Sequence, residues 1–168
     1  MIEHINEHLS EQSQLSAKRA YQIAVGKRQS IIGTPHVFLA LVEHPDEILL
    51  QIFDDMSLDI ERLKNETLDL IDLQGKAPFW KGKKYQILVT PFVKQAIEDA
   101  ILLSRQLEEN KASSAHIFWG VINSCVENRR DQIQLKMSQI LKNNNLEPEK
   151  VLRLLKELSS LHKKDKSA

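Results

Sequence analysis

Gly33-Thr34-Pro35-His36-Val37-Phe38-Leu39-Ala40-Leu41-Val42 decides the reading of this chain, because its pattern returns as Ser113-Ser114-Ala115-His116-Ile117-Phe118-Trp119-Gly120-Val121-Ile122. Each copy sets a hydroxyl residue (Thr34, Ser114) two positions before a histidine (His36, His116) and a phenylalanine (Phe38, Phe118) two positions after it, at an offset of 116 − 36 = 80 residues. A hydroxyl ahead of an apolar run is an N-cap signal, since its oxygen accepts from backbone N–H groups that the first turn leaves free. Pro35 suits that turn, where a missing donor costs nothing. Thr34 and Ser114 are therefore read as the caps of two helices. Residues 37–42 and 117–122 have no polar face, so both helices belong in the interior, paired with one another.

A chain of 168 residues can bury about two-thirds of its unfolded surface in a single domain. Its 42% hydrophobic and 27% charged residues are those of a globular protein, and only 5 glycines and 5 prolines leave little room for hairpins, so helix is favoured. The 23 basic and 23 acidic residues cancel. No global field draws the chain to nucleic acid or to an anionic membrane, and neither is an expected partner. Cys125 has no cysteine partner, and neither a leader-like segment nor an apolar run of about 18 residues is visible. A soluble, cytoplasmic protein is expected.

Taken in order, residues 1–9 form a lead-in whose His4 and His8 share a helical face but are too few to hold a metal. Residues 10–30 follow as an amphipathic helix, with Leu15, Ala20, Ile23 and Ala24 at helical spacing and Ala20/Ala24 small enough for a close neighbour. After the core helix, Pro45-Asp46 starts another whose buried side is Ile48, Leu49, Ile52 and Phe53. Asp59 then caps one that runs to Leu73, with Leu63, Leu70 and Ile71 inward. Residues 10–73 are thus a four-helix unit. Residues 74–87 are a linker in which Gly75 is a helix stop and Phe79, Trp80 and Tyr85 stand among lysines. A stacking surface for single-stranded nucleic acid needs a preorganised platform that a loop does not provide, so these aromatics are read as candidate protein contacts.

The second unit, residues 88–160, opens on Thr90-Pro91, and its Ala96, Ile97, Ala100, Ile101 and Leu103 repeat the first helix, with Ala100/Ser104 falling on Ala20/Ala24. Leu146-Glu147-Pro148-Glu149-Lys150-Val151 matches residues 58–63 at an offset of 146 − 58 = 88, which implies eight inserted residues, placed around 124–134. Asn143-Asn144-Asn145 suits a left-handed stop. Pro148 begins a last helix to about Leu161, and residues 161–168 are read as a frayed tail.

Catalytic motifs are missing. The pairs Gly26-Lys27, Gly75-Lys76 and Gly82-Lys83 are followed by Arg28, Ala77 and Lys84, so no phosphate-binding loop is formed. Cys125 follows an apolar run without a marked base and reads as a buried thiol. His36 and His116 could meet across a pseudo-twofold axis around a metal. The first turn of a helix instead favours a neutral ring that bonds nearby backbone, and a structural role is expected, with no catalytic residue, metal or cofactor.

The doubled motif, with the Ala20/Ala24 and Ala100/Ser104 pairs upstream, resembles the Clp N-terminal domain family, the double four-helix repeat at the front of ring-forming Clp unfoldases. The resemblance spans residues 10–158. It implies an all-α, pseudo-twofold tandem repeat of about eight helices that binds substrates or adaptors and passes them to an ATP-driven ring. The groove between repeats and the aromatic linker would be the contact surfaces. It implies, as an alternative, a stand-alone accessory subunit that stabilises or regulates assembly of a Clp protease, in which case the plastid stroma is the compartment. The family's glutamate between Thr and His, which helps some members hold phosphoarginine, is Pro35 in one copy and Ala115 in the other. Phosphoarginine recognition is therefore doubtful.

Overall fold

Short polar side chains start most of the helices. The computed structural model describes residues 4–77 and 86–167. A 3-10 turn, Ile5–His8, leads into α1 (Glu11–Gly26), β1 (Ile31–Ile32), α2 (Thr34–Glu43), α3 (Glu47–Asp55) and α4 (Ile60–Leu73). Then β2 (Leu88–Val89), α5 (Pro91–Gln106), α6 (Ser114–Glu127), α7 (Gln132–Asn143) and α8 (Pro148–Ser167) repeat the order. Ser10, Asp46, Asp59, Thr90 and Asp131 each accept a backbone N–H two or three residues on, at 2.8–3.3 Å, and so cap α1, α3, α4, α5 and α7. Left-handed residues end the helices at matching places: Arg28 and Glu108 after α1 and α5, Ser57 and Asn145 after α3 and α7, and Gly75 (φ 71°) after α4. The architecture is the all-α tandem repeat that the sequence implies.

The core forms where the two repeats meet. α2 and α6 are buried almost throughout, and Phe38 stacks on Phe118 with ring centroids 5.4 Å apart and planes at 22°, while Phe53 meets Phe118 edge-on at 5.4 Å. Such contacts contribute about 0.5–1.5 kcal/mol beyond the apolar area removed from water. Gly120 lets α6 lie directly on α5. A Cβ there would stand 2.3 Å from the Ala96 carbonyl oxygen, so the helices are closer than any side chain permits.

The repeats also exchange backbone. β1 and β2 pair in parallel, Ile31 with Leu88 and Ile32 with Val89, so the segment before α5 is held by the segment before α2. Leu9 pairs likewise with Ala112, before α6. The equivalent bonds run from Thr90 N–H to Ile32 O (3.0 Å) and from Ser10 N–H to Ala112 O (2.9 Å). Each repeat thus holds the lead segment of the other.

Several expectations need correction. Thr34 and Ser114 are not caps but the first residues of α2 and α6, and the cap positions are Gly33 and Ser113, whose backbone N–H groups donate to the histidine three residues on. Leu15 faces solvent at 55% exposure; its counterpart in the second repeat is Gln95, at the polar edge of α5. The eight extra residues are divided. α3 and α7 start 132 − 47 = 85 apart, and α4 and α8 start 148 − 60 = 88 apart, so five precede α7 and three lie between its start and α8. Residues 161–167 are not a frayed tail but the last turns of α8. Leu107 and Glu108 at the end of α5 both bond Lys163 there, Glu108 at 3.8 Å.

Candidate functional site

The paired helix starts at the pseudo-twofold axis hold every residue that the repeated motif singled out. His36 Nδ1 accepts from the Gly33 N–H at 3.0 Å, and His116 Nδ1 accepts from the Ser113 N–H and hydroxyl, both at 2.8 Å. Each ring does the work of the glutamate in a capping box. The other nitrogens point to residues that sequence reading missed. His36 Nε2 lies 2.7 Å from Gln29 Oε1, and His116 Nε2 lies 2.8 Å from Glu109 Oε2. Gln29 Nε2 continues to the carbonyls of Ile71 and Gly75 at the end of α4, and Glu109 Oε1 accepts from Ser159 of α8 at 2.5 Å. Residues 29 and 109 are themselves 80 apart, each just after a left-handed residue, and that shared position was the available signal.

Charge differs between these copies. Burial lowers His36 to a pKa of about 4, only partly offset by its bond to Gly33, so its relay is neutral. Burial pushes Glu109 upward, but the bonds from His116 and Ser159 outweigh it and hold the carboxyl below its usual value. Asp46 is raised by burial against the opposing bonds from Leu49 and Ser114. Its Oδ1 caps α3, and its Oδ2 accepts the Ser114 N–H of α6 at 3.2 Å, so one carboxylate serves a helix in each repeat. In the reciprocal place Thr34 donates to Gln134 Oε1 of α7, and Gln134 Nε2 reaches Ser124 Oγ at 3.2 Å. Cys125 is buried beside this network with its thiol pushed up to about 12, so it stays protonated and unreactive.

The hydrogen bonds of these residues all stay inside the fold. Both nitrogens of each motif histidine are engaged within its own repeat, and no group of three or more potential metal ligands occurs among the described residues. Among the openings the architecture leaves is an apolar cleft of about 90 Å³ where the two repeats face each other across β1 and β2. Ala17 and Ala20 of α1 form one wall, Val93 and Ile97 of α5 the other, and Val37 and Ile117 line it further. The walls are apolar apart from Ser13, whose hydroxyl donates to Ala112 O at 2.9 Å, and Ser16, whose buried hydroxyl has no partner among the described residues. Val89 also lines the cleft, at 36% exposure, with Leu88 and Ile31 exposed beside it on the paired strands. Phe79, Trp80 and Tyr85, the linker aromatics, lie outside the described residues.

Known proteins share this architecture. The N-domain of ClpV from Vibrio cholerae superposes with a TM-score of 0.70 at 16% identity, covering 93% of this chain and 87% of that one. The Hsp104 N-terminal domain from Candida albicans gives 0.68 at 14% identity, covering 90% and 91%. A complex of a ClpV N-domain with VipB peptide gives 0.62 at 18%, covering 89% of each chain. In sequence, the chain is 25% identical over 152 residues to the chaperone protein ClpB of Clostridium perfringens, covering 90% of this chain and 17% of that protein. It is 28% identical over 114 residues to the ATP-binding subunit ClpC of the Clp protease of Staphylococcus saprophyticus, covering 68% and 13%. The chain thus spans less than a fifth of the length of either relative. Residues 8–129 match the model of the Clp repeat N-terminal domain, and with the doubled helix starts and exchanged strands in place, the chain belongs to that family.

Proposed function

We propose that this domain is a protein receptor of a Clp chaperone or protease system, docking apolar segments of substrates or adaptors in the inter-repeat cleft for an ATP-driven unfoldase. The observation that carries the reading is the open, apolar cleft walled by both repeats. Burial of apolar side chains there supplies affinity at about 25 cal/mol per Å². The Ser16 hydroxyl, without a partner among the described residues, supplies one polar contact for the backbone of an incoming segment. The VipB peptide bound to a ClpV N-domain of the same fold supports a peptide as ligand. Binding is the work of this reading, not catalysis. The linker leads into the cleft wall at Val89, which follows its aromatics by four to ten residues, so Phe79, Trp80 and Tyr85 are proposed as further contacts. Pro35 and Ala115, in the place of the family's glutamates, are buried and carry no charge, which supports a receptor that does not select phosphoarginine.

Ala17→Arg tests the proposal with little risk to folding, because Ala17 is exposed at the rim of the cleft. In fluorescence polarisation against a panel of labelled peptides, leucine- and isoleucine-rich members should bind with Kd values of about 1–100 μM. Ala17→Arg should weaken them about tenfold or more. Unchanged affinity in that variant removes the cleft, and unchanged affinity in Trp80→Ala removes the linker. If no peptide binds while purified Clp protease rings do, the accessory assembly role replaces the receptor.

A further inference from the structure

The outer face of the α5/α6 pair carries a recess of about 380 Å³ lined by Gln95, Asp99, Leu102, Trp119, Asn123 and Glu127. Its lining holds two carboxylates and an indole, and no basic side chain. Asp99 takes one hydrogen bond, from Gln95 at 2.9 Å, and neither Asp99 nor Glu127 has an ion-pair partner among the described residues.

The first repeat shows what the equivalent place accommodates. α1 and α5 begin and end 80 residues apart, and α2 and α6 begin 80 apart, so Arg19, Leu39 and Glu43 correspond to Asp99, Trp119 and Asn123. There the Arg19 guanidinium lies across to α2, its Nε and Nη2 donating to Glu43 Oε2 at 3.1 and 3.0 Å. In the second repeat no described residue lining the recess supplies a cation. Acid replaces the arginine, and an indole, the best aromatic face for a cation, replaces the leucine.

We propose that this recess binds an arginine side chain of a protein partner, its guanidinium paired with the carboxylates of Asp99 and Glu127 and stacked on Trp119. Arginine fits better than lysine because its flat, forked cation both stacks on an indole and offers parallel donors to a carboxylate. The recess shares no lining residue with the inter-repeat cleft, so the assignment does not depend on that cleft binding peptides.

The test titrates the capped tripeptide Ala-Arg-Ala into uniformly 15N-labelled protein and follows the indole N–H signal of Trp119, one of 2 tryptophans, assigned with Trp119→Phe. The control peptide carries citrulline, which keeps the shape of arginine and removes its charge. The arginine peptide should shift the signal saturably with a Kd of about 1 mM, weakening with added salt, and the citrulline peptide should not. Asp99→Asn should weaken binding about fivefold. The double variant Asp99→Arg/Asn123→Glu writes the first repeat's ion pair into the second and should abolish the shift while leaving the thermal unfolding midpoint within a few degrees of wild type. Ala17→Arg should bind the arginine peptide as wild type does. No shift, equal shifts from both peptides, or binding retained by the double variant would overturn the proposal, as would loss of binding in Ala17→Arg.

Discussion

At the scale of the residue, His36 should govern the response of the fold to acid. Burial holds its pKa at about 4, against an ordinary 6.5, so the folded ring stays neutral where the unfolded ring takes up a proton. Stability is complete above pH 6.5 and is lost as the pH falls toward 4, by up to about 3 kcal/mol. Urea unfolding at about pH 7 and about pH 5 should differ by about 2 kcal/mol from this group. His36→Gln, which keeps a capping-box side chain without the titration, should flatten that slope. An unchanged slope in the variant would assign the effect elsewhere. The backbone bonds of the motif histidines were legible, because a ring in a first helical turn has backbone N–H groups within reach. Their partners Gln29 and Glu109 were not, since each lies seven positions before its histidine and only the folded loop brings them together.

At the scale of the element, the contact of α5 with α6 depends on one missing side chain. Gly120→Ala would drive a Cβ to 2.3 Å from the Ala96 carbonyl oxygen, a backbone atom that moves only if α5 moves. We expect a loss of about 3 kcal/mol, read as a thermal midpoint lower by about 10 °C. A midpoint within a degree or two of wild type would show that the helices separate at no cost. Helix existence was legible throughout, because apolar spacing and capping residues agree along each segment. The strands were not, since two residues carry no periodicity, and neither was the final extension of α8. The contacts of Lys163 with Leu107 and Glu108 that accompany it are long-range and leave no local signal. Ile97 was read only as one of the apolar positions of its helix, and Ala17, across the cleft from it, carries no signal of its own. Only the approach of the second repeat makes them a surface.

At the scale of the molecule, neither repeat should fold as a stable monomer, because each one's lead segment pairs with the other. Residues 1–81 and 82–168, made as separate chains, should each lack a cooperative unfolding transition as monomers. Mixed in equal amounts, they should recover the helical circular dichroism and the urea transition of the intact protein. A half that is monomeric and unfolds cooperatively would contradict this. The exchanged strands have a further meaning. One repeat contains both a lead segment and the strand that receives one, which makes the unit self-complementary: two identical copies would close on each other as an isologous homodimer. Covalent fusion of such a dimer converts a second-order encounter into an intramolecular one, so assembly no longer depends on concentration. It also releases the halves from having to be the same, and a position that is Arg19 in one copy was free to become Asp99 in the other.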